Sequence, residues 1–78
     1  MNYTDKNGVT KKLEVGLTFK CDRSIGQTKS ESLITVIEIL IDGIRDIDTL
    51  YDGLDPKNFG VRSFRNLETN FKNGGYYF

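Results

Sequence analysis

Apolar and polar residues alternate most clearly from Leu13 to Cys21. Leu13, Val15, Leu17, Phe19 and Cys21 are separated by Glu14, Gly16, Thr18 and Lys20. A period of two with a polar second face predicts a strand buried on one side and wet on the other. Gly16 brings no side chain to the outer face, so a bulge or sharp bend is expected there. Residues 22–31 are polar, include Gly26, and read as a loop. Upstream, Asp5-Lys6-Asn7-Gly8 carries a turn signal. Its flanks are weakly apolar, so residues 1–12 read as a loop or frayed edge, with a short hairpin as the alternative.

The densest apolar run lies between Ser32 and Gly53, and its pattern supports two different elements. Leu33, Ile37, Leu40, Ile44, Ile47, Tyr51 and Leu54 recur at alternating spacings of four and three. Thr35, Glu38, Asp42, Arg45, Asp46, Thr49 and Asp52 gather on the other side of the wheel. Thr28 with Glu31 forms a capping box, Gly53 is a C-terminal stop and Pro56 follows. Periodicity alone therefore predicts an amphipathic helix at about residues 29–52. Composition opposes it. Six of the nine residues from Leu33 to Ile41 are Ile, Val or Thr, which favour strands. Asp42-Gly43 is a hairpin signal between apolar runs, and a glycine in mid-helix costs about 1 kcal/mol. The hairpin has its own difficulty. Direct pairing across Asp42-Gly43 sets Asp46 and Asp48 on the face of Ile37 and Ile39, so a bulge or longer loop is required to shift the register.

Residues 54–60, with Asp55-Pro56 and Gly60, read as a turn region, and Phe59 to Phe64 as a short strand. Ser63 can cap a short helix that sets Phe64, Leu67 and Phe71 on one face, with Asn73-Gly74-Gly75 as its stop. Tyr76, Tyr77 and Phe78 then form a packed final strand, one of the two tyrosines facing outward.

The order of these signals carries a resemblance. Val15-Gly16-Leu17-Thr18-Phe19 is followed by Ile34-Thr35-Val36-Ile37-Glu38-Ile39, an Asp-Gly-punctuated segment, and Ser63-Phe64-Arg65-Asn66-Leu67 running on to Lys72-Asn73-Gly74 before the aromatic end. Over roughly residues 13 to 78 this resembles the small SH3-like barrel proteins of bacteriophages and mobile elements. The sequence departs from that pattern between Ile44 and Tyr51, where a third strand should alternate. The resemblance implies a binding fold without catalytic residues. It tips the reading to a mainly β chain, a small SH3-like barrel with a short C-terminal helical turn. The alternative is an α+β domain with one long helix packed on a small antiparallel sheet.

Length and composition narrow the function. A chain of 78 residues supports one domain with one small core. Cys21 is the single cysteine, so no disulfide staples the fold and a reducing compartment is expected. The N-terminus is polar and lacks a signal-like apolar run. Leu33 to Ile41 is broken by Glu38 and too short to span a bilayer. A cytoplasmic protein without a membrane role is expected. A small unstapled domain is marginal alone, which favours a partner and leaves monomer and homodimer both open.

There are 11 basic and 11 acidic residues, but the charge is segregated. Residues 1–31 carry +2, residues 32–56 carry −5 and residues 57–78 carry +3. A neutral total argues against a dedicated DNA binder. The chain has no histidine, which removes the commonest general acid/base and histidine-containing triads. With one cysteine it also lacks the ligands of a structural zinc site. No enzyme activity, metal or cofactor is expected. Cys21 reads as a buried core thiol.

Asp42, Asp46, Asp48 and Asp52 read as a solvated acidic face. Such a face could dock on a basic protein groove or mimic a nucleic-acid backbone. Arg62, Arg65, Tyr76 and Tyr77 combine cations with aromatic faces that can stack bases and hold phosphates. The plainer reading has Phe64, Phe71, Tyr77 and Phe78 closing the core while the arginines solubilise its rim. The function expected from these features is a non-catalytic protein-binding module encoded by a phage or mobile element, an inhibitor or adaptor of a host or defence complex. The alternative is a nucleic-acid-binding module using the basic–aromatic C-terminal region.

Overall fold

The computed structural model describes residues 1–25, 28–50 and 58–78. Strands dominate: β1 (Asn2–Thr4), β2 (Thr10–Lys12), β3 (Thr18–Ile25), β4 (Thr28–Ile39), β5 (Gly43–Leu50), β6 (Asn58–Ser63) and β7 (Tyr76–Tyr77), with one helix, α1 (Phe64–Asn73), among the described residues. β1 and β2 form a hairpin of their own. The other strands build one antiparallel sheet in the order β6-β5-β4-β3-β7. It curls into a half-barrel, giving the mainly β, barrel-like fold expected from motif order. α1 packs against β1, β5, β6 and β7.

The contested segment is a hairpin. β-branched composition overrides helical periodicity because β4 and β5 each find a partner on both sides. Asp42-Gly43 does not form the mirror-image turn the dipeptide suggests, since Gly43 is absent from the glycines with positive φ. The turn is instead closed by the Leu40 N–H donating to the Gly43 carbonyl at 2.7 Å. Gly43 is needed for close approach. A Cβ there would lie 2.1 Å from the Arg62 carbonyl oxygen. Ile37 is bulged, between the pairs Val36↔Asp46 and Glu38↔Arg45. The longer loop and the bulge do shift the register, yet Asp46 and Asp48 stay on the core face, opposite Val36 and Ile34.

Two expectations at the front of the chain are corrected. The strand begins at Thr18 and not at Leu13, because Val15 and Gly16 form a turn with Gly16 at φ 96°. Val15 is consequently 62% exposed. Residues 22–25 and 28–31 are not loop but paired strand, ending at Ile25↔Thr28. Polar residues suffice there because cross-strand hydrogen bonds carry the arm. Of the two readings of residues 1–12, the hairpin is the one formed, as β1–β2, with Gly8 at φ 87° completing its turn. The expected turn region at residues 54–60 is strand from Asn58 onward, where β6 pairs with β5, while Asp55-Pro56 and Gly26 lie outside the described residues.

The core lies between the concave sheet face, α1 and the β1–β2 hairpin: Tyr3, Leu13, Phe19, Ile34, Val36, Ile44, Leu67, Phe71 and Tyr76. Phe71 is its hub, with ring centroids 4.9–5.7 Å from those of Phe78, Tyr3, Phe19 and Tyr76. α1 follows the sequence reading closely. The Ser63 hydroxyl accepts from the Asn66 N–H at 3.0 Å, Gly74 is the left-handed C-cap, and Leu67 and Phe71 face inward.

Candidate functional site

β5 alternates in an unusual sense. Ile44, Asp46 and Asp48 point inward while Arg45 and Ile47 point out. Asp46 is fully buried and Asp48 nearly so. Burying a charge is costly unless it is paired, and the partner comes from β6. Arg62 sits opposite Ile44 in the ladder and Gly60 opposite Asp46. With no side chain at Gly60, Arg62 can lie diagonally along the aspartates. Its Nε is 3.1 Å from Asp46 Oδ2 and one terminal nitrogen is 3.5 Å from Asp48 Oδ2. Its other terminal nitrogen donates to the Tyr76 hydroxyl at 3.2 Å, and that hydroxyl donates to Asn66 Oδ1 at 2.8 Å. The guanidinium also lies over the Tyr76 ring, 5.6 Å from its centroid.

The result is a polar clasp inside the half-barrel. Arg62 belongs to β6 and Tyr76 to β7, the two outermost strands of the sheet. Side chains thus join edges that no ladder joins among the described residues. The contact to Asp46 is mainly Coulombic, and among the described residues neither Asp46 oxygen accepts a hydrogen bond of good geometry. Burial accordingly pushes the Asp46 carboxyl above its ordinary pKa, against the pull of Arg62, and neighbouring Asp48 adds to the rise.

The expected solvated acidic face is therefore not a face. Asp46 and Asp48 are interior. Asp42 is exposed in the β4–β5 loop, where its carbonyl accepts the Phe64 N–H at 2.9 Å. Asp52 lies outside the described residues. The basic–aromatic group is also divided. Arg62 and Tyr76 are in the clasp, while Arg65 is exposed on α1. Tyr76, not Tyr77, fills the core. Tyr77 faces the other way, its hydroxyl shared between Asp22 Oδ1 at 2.7 Å and Glu31 Oε2. Those carboxylates sit opposite each other in the β3–β4 ladder, and they raise the Tyr77 pKa, Glu31 most. Cys21 is half-buried and packs on the edge of the core, more open than expected because it lies next to the short strand β7.

Two features escaped sequence reading. Asp5 accepts the N–H groups of Asn7 and Val9 at 2.9 Å and that of Phe78 at 3.0 Å. These bonds, that of Phe78 foremost, hold its carboxyl below the ordinary pKa. An aspartate two residues before Asn7-Gly8 signals the local turn, but nothing local signals Phe78. The second feature is a groove of about 420 Å³ between β1 and α1, lined by Met1–Thr4, Phe64, Glu68, Phe71 and Lys72.

The outer face of the sheet is the complement of the clasp. Ile47 is half-exposed at its centre. Leu33 on β4 and Val61 on β6 lie diagonally on either side, 43% and 63% exposed. Ile41, in the adjoining loop, is entirely exposed. Among the described residues no cluster of acidic, histidine or cysteine side chains could hold a metal ion, and no helix is long and apolar enough to cross a membrane. Compared with protein-family models, with curated proteins and with solved structures, the chain gives no match.

Proposed function

We propose that this chain is a non-catalytic protein-binding module that meets its partner through the outer face of β4, β5 and β6. One observation carries the reading: the polarity of β5 and β6 is inverted. Two carboxylates and a guanidinium are spent inside, while Val61 and, across the sheet, Leu33 are exposed and Ile47 between them is half-exposed. Isolated exposed apolar residues are ordinary, but diagonal neighbours on one sheet face, as Leu33, Ile47 and Val61 are, suit an interaction surface. The charged rim of Lys20, Glu38 and Arg45 suits a docking interface with an apolar centre. Small size, the lack of histidine and the segregated charge, beside the binding fold that the resemblance to small phage and mobile-element barrels implies, support an inhibitor or adaptor role, with a host or defence complex as the partner.

The test is chemical cross-linking and capture from the native host's lysate, with the wild-type chain and with Leu33→Asp/Val61→Asp in parallel. The reading expects a protein recovered by the wild type and lost by the variant, whose melting temperature is unchanged. Identical recoveries from both would overturn it. Nucleic-acid binding is the weaker reading, because Arg62 and Tyr76 are committed to the clasp.

A further inference from the structure

The groove between β1 and α1 shares no residue with the outer sheet face, and its walls have a distinct chemistry. The Leu13 N–H donates to the Met1 carbonyl and the Asp5 N–H to the Val9 carbonyl, both at 2.9 Å. β1 and β2 pair Asn2↔Lys12, Tyr3↔Lys11 and Thr4↔Thr10. Hydrogen-bonded and non-bonded pairs alternate along an antiparallel ladder. Tyr3 is therefore bonded to Lys11, whereas the N–H and C=O groups of Asn2 and Thr4 turn away from β2. The close Thr4 Oγ1 to Thr10 Oγ1 contact, 2.7 Å, fits the non-bonded pair. Both residues line the groove, and no β2 residue does. One wall is thus a strand edge with a donor and an acceptor repeating every second residue.

The floor is aromatic: Tyr3 stacks on Phe71 at 5.3 Å, and Phe64 is half-buried beside the opening. The far wall carries Glu68 and Lys72, both exposed and one helical turn apart. The volume, about 420 Å³, falls in the roughly 300–1,000 Å³ range of pockets that hold ligands.

We infer that this groove takes an extended peptide segment of a partner protein, which adds to β1 as a third strand. Its backbone pairs with Asn2 and Thr4, and a large apolar side chain opposite Tyr3 rests on Phe64 and Phe71. Glu68 and Lys72 select a basic and an acidic residue on that same face. Same-face residues of a strand repeat at about 6.6 Å, close to the roughly 6 Å rise over four helical residues. Main-chain pairing supplies affinity in this mode, and alternate side chains supply specificity. A two-stranded hairpin gains stability from a third strand.

The probe is a bead-displayed library of random seven-residue peptides, with selected sequences resynthesised and titrated by fluorescence anisotropy. Selected peptides are expected to combine one large apolar residue with a basic and an acidic residue at two-residue spacing. N-methylation should abolish binding at one parity of backbone positions and spare the other. Thr4→Pro removes an outward N–H and leaves the β1–β2 ladder intact, and should weaken binding about tenfold or more. Glu68→Lys, on an exposed helical position, should exchange the preferred basic residue for an acidic one. No selected peptide, or peptides indifferent to both substitutions, would overturn the inference. A dimer of the chain in sedimentation velocity that Thr4→Pro dissociates would also overturn it, because the groove would then serve self-association.

Discussion

Asp46 is the residue on which the physical chemistry turns. It is buried with a guanidinium 3.1 Å away and, among the described residues, no well-aligned hydrogen-bond donor on either oxygen. A buried pair in poor geometry recovers little of its desolvation cost, yet removing its cation is far worse than keeping it. The sign of its pH dependence follows from the raised pKa. A carboxyl that binds its proton more tightly when folded contributes fully below its unfolded pKa of about 3.9. That contribution is lost as pH rises through the raised folded value. Asp46→Asn keeps a neutral, isosteric group in place, and Arg62 retains Asp48. The variant should melt above the wild type at pH 7, the two curves converging as pH falls toward about 4. A gap in melting temperature that does not change with pH would show that Asp46 is not desolvated. Asp5 acts in the opposite sense. Its lowered pKa gives stability that is present above the unfolded value and is lost as pH falls through the folded one.

At the scale of elements, β4 and β5 show what local sequence encodes and what it leaves to tertiary context. The cap at Ser63, the inward face of α1 and the stop at Gly74 were legible because each depends on neighbours within a few residues. The hairpin was legible only as a conflict. Its helical spacing is genuine, but the Ile and Val side chains of β4 lie on a sheet that periodicity alone cannot reveal. The clasp was not legible. Asp46 and Asp48 look like surface residues until Arg62, 16 and 14 positions away, is brought beside them. Of the eight candidate residues, the fold joins four: Asp46, Asp48, Arg62 and Tyr76. Gly43 gives the sharpest test of the element. Because a Cβ there meets the Arg62 carbonyl oxygen at 2.1 Å, Gly43→Ala must part β5 from β6. A loss of roughly 3 kcal/mol or more is expected in urea unfolding. A loss below about 1 kcal/mol, the size of an ordinary surface change, would contradict the close approach of these strands.

At the scale of the molecule, a five-stranded sheet is held in a half-barrel by an aromatic core centred on Phe71 and by a clasp between its outermost strands. The apolar residues left outside form the surface we propose for a partner. Both statements rest on one claim, that β6 carries its cation inward and its valine outward. Equilibrium urea unfolding of two variants of adjacent residues tests this most directly. Val61→Lys places a charge on an exposed edge position and should change stability by no more than about 0.5 kcal/mol. Arg62→Met keeps the bulk but takes the cation away from fully buried Asp46, and should cost about 3–5 kcal/mol, much of the stability of a small domain. The reverse order, with Arg62→Met harmless and Val61→Lys severe, is what a solvated acidic face and an apolar interior would give, and would contradict the account.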